Sequence, residues 1–288
     1  MSWIPWSEAL LRWGHVLAGV VFLGLVYFVS FVGGPFLEAC DAPTRERIEP
    51  RLLARAYGWL RWGAAGSWAA GFCLLGLVYY MPGSYGRLVD PGMALSQGAA
   101  IGLSLGLLLF VFFAYDALWT ALSDEKREPI ANAVSFAGVV ALAYGLSRAF
   151  NGRSMFLHLG ALFGTILTMN VWMRIGPARR KIRAGVAGAG LAGEAASRRR
   201  VALREKHNAY LSLPLIFFMV SNHVSQLYDS DFAWEIASGV VAVGFFVARW
   251  LFAASARVAD LPGGTAAPQP AAGRPGGQRL NPPPESVN

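Results

Sequence analysis

Glu8-Ala-Leu-Leu-Arg-Trp-Gly-His-Val-Leu-Ala-Gly-Val-Val-Phe-Leu-Gly-Leu-Val-Tyr-Phe-Val-Ser-Phe-Val-Gly33 carries one acid and one base, both within its first five residues. A hydrocarbon core of about 30 Å takes roughly 20 helical residues to cross, so this run predicts a transmembrane helix. Six further runs read the same way: Tyr57–Tyr80, Ala94–Leu122, Ile130–Phe150, Ser154–Ile175, Asn208–Leu227 and Phe232–Ala256. Their interiors are rich in glycine and aromatics and lack the strict alternation of a membrane barrel. The expected fold is all-α, an integral membrane bundle of about seven transmembrane helices over residues 1–258.

Composition agrees. Of 288 residues, 55% are hydrophobic and 15% charged, where soluble domains carry roughly 25% charged residues. The first apolar run is too long for a cleavable signal and lacks a small-residue exit, so it is expected to remain as the first span. Cys40 and Cys73 fall in a loop and a span, and no Cys-x-x-Cys-His occurs. This excludes a disulfide framework and an attached c-type haem. From Leu261 the chain turns Pro/Gly-rich, and a disordered tail is expected over 259–288.

The net charge of +8 points to topology rather than nucleic acid, because the basic residues lie between apolar runs. Nineteen Lys and Arg fall in the loops after spans one, three and five and in the tail, against Arg87, Arg148 and Arg153 on the other side. The positive-inside rule then puts the amino terminus outside and the tail in the cytoplasm. The expected location is a bacterial inner membrane. The loop Gly176–Lys206 is small-residue rich and then basic, which suits a surface helix against anionic headgroups.

All four histidines sit in or at the edge of apolar runs, where an imidazole is costly and marks a functional site by default. Counted along their helices at 1.5 Å per residue, His15, His158 and His223 share one layer, roughly 6–10 Å below the outer surface. His207 is alone at the cytoplasmic end. It lies sixteen residues before His223, about 160° out of phase on a straight helix, although Pro214 could kink the span. One outer site therefore fits better than two haems, with His15, His158 and His223 as candidate ligands of haem iron or, alternatively, of copper. The competing reading is a set of helix-packing histidines. Gly19, Gly160 and Gly164 near these positions would allow a macrocycle to lie against the backbone, or simply pack helices.

Among other polar residues, Asn222 and Gln226 flank His223, and Arg12 is one turn before His15, so these three are candidate substrate contacts. Asp116, Asn170, His207 and Asn208 form a secondary set in the inner half. A salt bridge or snorkelling is expected for Asp116, and snorkelling for Arg174. Tyr115 and Tyr210 read as interfacial anchors.

Three blocks resemble the membrane domain of bacterial cytochrome-linked urate oxidases, the integral-membrane urate hydroxylase family. They are Arg12-Trp-Gly-His-Val-Leu-Ala-Gly; His158-Leu-Gly-Ala-Leu-Phe-Gly-Thr with Met169-Asn-Val-Trp-Met-Arg-Ile-Gly-Pro; and His207-Asn-Ala-Tyr-Leu-Ser-Leu-Pro with Met219-Val-Ser-Asn-His223. The resemblance covers roughly residues 8–256 and implies an oxidoreductase converting urate to 5-hydroxyisourate. Typical members carry an eighth span and a fused cytochrome c domain; from this sequence, which has no Cys-x-x-Cys-His, neither is expected here. A separate c-type cytochrome is then the implied electron acceptor, and haem b the implied cofactor. The span-one block more loosely resembles membrane haem proteins and copper-resistance proteins. Other expected partners are the lipid bilayer and a second copy of the chain, with self-association left open. The competing classes are a non-enzymatic haem- or copper-binding or transport protein and a structural subunit of a respiratory complex.

Overall fold

The computed structural model describes residues 3–82, 86–122, 124–183 and 190–259, and among these the chain is helical with no strand. Six helices are long and apolar enough to cross a membrane. They are α1 (Ile4–Ala39), α2 (Ala42–Tyr80), α3 (Gln97–Ala121), α4 (Glu128–Ala149), α5 (Gly152–Ile182) and the last long helix, whose apolar part is Ala233–Arg257. Between α5 and that last helix lie α6 (Gly190–Ser221) and the short α7 (Ser225–Tyr228). The last helix is α8 (Ala233–Ala259). The expected tail lies outside the described residues, apart from the end of α8.

The sixth expected span, Asn208–Leu227, is replaced by a different element. Helix α6 starts at Gly190, so the basic segment expected on the surface is the first half of the same helix that carries His207 and Asn208. The helix stops at Ser221. Ser221 Oγ and Asn222 Nδ2 both donate to the Phe218 carbonyl, and Val224 is extended. Side chains that bond back to their own helix in this way compete with its continuation. From His207 to Ser221 the apolar half reaches only about 21 Å at 1.5 Å per residue, which is why α6 falls outside the membrane-length set.

Helix α5 is the axis of the bundle. Of its most apolar stretch, 78% is buried, against 17–28% for the other five spans. Its Leu159, Leu162, Phe163 and Leu167 anchor the main core. Helices α2, α3, α4 and α6 pack around it, while α8 closes against α4 and α6. Helices α1 and α2 form a tightly packed antiparallel hairpin. Gly63 permits this: a methyl there would sit 3.1 Å from the Phe22 nitrogen and 3.2 Å from the Ala18 oxygen. Close approach through small residues is how helices pack without a hydrophobic driving force. Three π-helical turns interrupt the long helices, at Phe28–Gly33, Gly76–Tyr80 and Asn170–Ile175. The bundle has a basic end, where α1 meets α2 and α3 meets α4, and a far end, where α4 meets α5 and α6 stops.

Candidate functional site

Between the α1–α2 hairpin and the α5–α6 pair lies a cavity of about 780 Å³. Ligand pockets typically hold roughly 300–1,000 Å³. Most of its wall is apolar, and Arg12, His15, Arg153, Asn222 and His223 supply polar groups. Two of the three histidines expected to share a layer therefore do line one space.

His15 is held by α2. Its Nδ1 lies 2.7 Å from the Ser67 carbonyl oxygen. A carbonyl only accepts, so Nδ1 carries the proton and Nε2 is left as the basic nitrogen. This is the arrangement that orients a ligating imidazole. Gly71 makes room for the ring, since a methyl there would come within 2.9 Å of His15 Cε1 and 3.0 Å of Nδ1. His223 sits in the turn after α6, exposed, with its backbone N–H donating to Val220.

His158 goes elsewhere. It is fully buried, with Nδ1 2.7 Å from the Ser154 carbonyl and Nε2 2.6 Å from Ser104 Oγ. Nδ1 must donate to the carbonyl, so Nε2 accepts the Ser104 proton. Ser104 Oγ, 2.6 Å from Tyr80 OH, then accepts the tyrosine's proton in turn. Both ring nitrogens are thus engaged within the protein, with the Phe150 ring tilted against the imidazole at 4.5 Å. Three-imidazole copper coordination loses its third ligand for that reason. Among the described residues, no three His, Cys, Asp or Glu side chains come together to hold a metal.

The glycines divide likewise. Gly160 faces Met219 and Phe218 across the α5–α6 contact, where a methyl would meet Met219 Cε at 2.5 Å. Its role there is helix packing. Gly19 and Gly164 have more room, with the nearest atoms at 3.5 and 3.8 Å, and all three glycines line the cavity.

Of the expected substrate contacts, Arg12 lines the cavity but is ion-paired to Glu8, with Nη2 2.6 Å from Oε1. Asn222 lines it too. Gln226 is exposed on α7 and lies off the cavity wall. Arg153, counted in the sequence only as a loop charge, is the residue that sequence reasoning missed. It lines the cavity, and its Nε is buried with no hydrogen-bond partner among the described residues.

The secondary set forms a separate network toward the basic end that ties α3 to α5 and α6. Asp116 receives Arg204 Nη2 and Arg174 Nε, each at 2.8 Å. The expected salt bridge is present, and Arg174 folds back onto it rather than only snorkelling. Tyr115 is no interfacial anchor: its hydroxyl meets His207 Nδ1 at 2.7 Å and accepts from Asn170 Nδ2 at 3.1 Å. Asn170 Nδ2 also donates to Asn208 Oδ1 at 3.0 Å. His207 packs at a tilt against Trp119, with ring centroids 4.0 Å apart. Tyr210 packs its ring against Phe245 and Phe252 of α8. His207 and His223 consequently face different surroundings.

No curated protein and no solved structure matches the chain. One family, described as urate oxidase N-terminal, matches residues 33–262, about four-fifths of the chain. Arg153, His158, His207, Asn222 and His223 lie inside the match, and Arg12 and His15 precede it. With that match across a multi-pass helical membrane protein, the chain belongs to the urate oxidase N-terminal family.

Proposed function

We propose that the protein is the membrane part of a urate-oxidising system. Urate, or a closely related planar purine, binds at the polar groups of the cavity and is oxidised there to 5-hydroxyisourate. The reaction takes up one water and releases two electrons and two protons, and the electrons leave to a separate c-type cytochrome. The observation that carries this reading is the cavity of about 780 Å³ whose wall includes His15, His223 and Asn222 in a urate-oxidase-related chain.

The residues fit a haem. His15 offers an oriented imidazole whose Nε2 is left over, His223 lines the same space, and the apolar wall suits a macrocycle. A haem there would supply one-electron acceptance. The chain's own groups do the rest: the Ser67 carbonyl keeps His15 in one tautomer, Asn222 and the arginines hydrogen-bond the heterocycle, and the apolar wall excludes bulk water. The uneven split of Lys and Arg supports the basic end in the cytoplasm and the amino terminus outside a bacterial inner membrane. The site would then lie toward the side where a periplasmic cytochrome works.

Membranes containing the protein, given urate and oxidised cytochrome c, should reduce the cytochrome. His15→Ala and His223→Ala should each abolish this, while His207→Ala should retain most of it. No urate-dependent reduction, together with a purified protein that lacks a Soret band, would refute the redox reading and leave a binding or structural role.

A further inference from the structure

We infer that Arg153 and Asn222 form the substrate-reading edge of the cavity, selecting an anion that carries an N–H group beside its charge. This rests on the proposed function; of the expected contacts Arg12, Asn222 and Gln226 it keeps Asn222 and puts Arg153 in place of the other two.

The argument starts from polar atoms left without partners. Buried polar groups in folded proteins are almost always hydrogen-bonded, so an orphan calls for a missing partner. Five buried side-chain polar atoms among the described residues lack one, and two of them, Arg153 Nε and Asn222 Oδ1, belong to residues lining the same cavity. Their chemistry is complementary. Asn222 Nδ2 donates to the Phe218 carbonyl at 3.2 Å. That contact fixes the amide: a flipped side chain would set oxygen against oxygen. The atom left over is therefore an acceptor, and it requires a ligand N–H. Arg153 has no ion pair among the described residues, and its guanidinium presents donors in a planar fork suited to an oxyanion.

The competing cation is already compensated. Arg12 is paired to Glu8 within hydrogen-bonding distance, so its charge is less available to a ligand than that of Arg153.

Backbone geometry brings the two readers together. Gly152, the first residue of α5, packs against the Tyr228 backbone at the end of α7. Arg153 therefore follows directly from a residue seated on the segment that leaves the Asn222–His223 turn. A cationic fork and a fixed acceptor lining one cavity match a heterocyclic monoanion that also carries a ring N–H, which urate is near neutral pH. A neutral purine would use the acceptor but not the charge. A fully N-methylated urate would lose the N–H.

The test is equilibrium binding of urate, N-methylated urates and hypoxanthine to the purified full-length protein, followed by tryptophan fluorescence, since Trp68 lines the cavity. Arg153→Gln should weaken urate by about tenfold or more and leave hypoxanthine within about twofold. Arg153→Lys, which keeps the charge and guards against a folding defect, should fall between. Asn222→Leu should weaken urate and erase its preference over N-methylated forms. Urate binding that is equal in wild type, Arg153→Gln and Asn222→Leu would overturn the assignment while leaving the proposed function standing. Absence of urate binding to the wild type would overturn both.

Discussion

Replacing Gly152 by Ala tests the seam on which the far-end site is built. A methyl group on Gly152 would overlap the Tyr228 carbonyl oxygen and lie 2.8 Å from the carbonyl carbon and 3.4 Å from the Tyr228 Cα. Carbon–carbon contacts are most favourable at about 3.5–4.0 Å, and the carbonyl oxygen is closer still, so the two backbones must part by more than about 1 Å. The neighbour is main chain rather than the tip of a flexible side chain, so a rotamer change cannot relieve the overlap. Overpacking of this kind costs about 1–3 kcal/mol. For a chain of this size 1 kcal/mol moves the melting temperature by roughly 2–4 °C, and a drop of several degrees is expected in detergent. Gly102→Ala is the matched control. It is an exposed glycine within α3 with no atom within 4 Å of a new methyl, and better helix propensity should hold or raise stability there by up to about 1 kcal/mol. The same Gly152 variant should weaken urate binding, because separating α5 from α7 moves Arg153 away from Asn222. If Gly152→Ala melts with the wild type and binds urate equally well, the close seam and the site geometry built on it are both wrong.

Asp116→Ala leaves Arg204, whose side chain is only 8% exposed, without its carboxylate. Removing one partner of a buried pair typically costs about 3–5 kcal/mol, so a large loss of thermal stability is expected; an unchanged melting temperature would show that the triad does not hold α3 to α6. Reporter fusions should be cytoplasmic-active at Arg183 and at the carboxyl end and periplasmic-active near Gly86, and a periplasmic carboxyl end would overturn the proposed orientation.

The membrane class and the helices were legible in the chain because the free energy of crossing hydrocarbon is close to a local sum over about 20 residues. Glu8–Gly33 declares itself without knowledge of its neighbours. Depth along a helix was legible too, since each residue advances a fixed 1.5 Å. That is why depth alone sets His207 apart from His15 and His223. What depth does not contain is azimuth. The direction a side chain faces depends on how its helix is rotated against its neighbours, and packing decides that rotation. His158 sits in the apolar run expected for a ligand, yet its ring turns into α3, where Ser104 is 54 residues away in sequence. Asp116 could be read as a paired carboxylate, but its second arginine comes from α6. The end of α6 was misplaced because Ser221 and Asn222 halt it with bonds to Phe218, a competition that hydropathy does not register. Arg153 was hidden most completely. As a charge between two apolar runs it counts toward topology, and only the packing of α5 against α6 and α7 puts it on the wall of the cavity that Asn222 also lines.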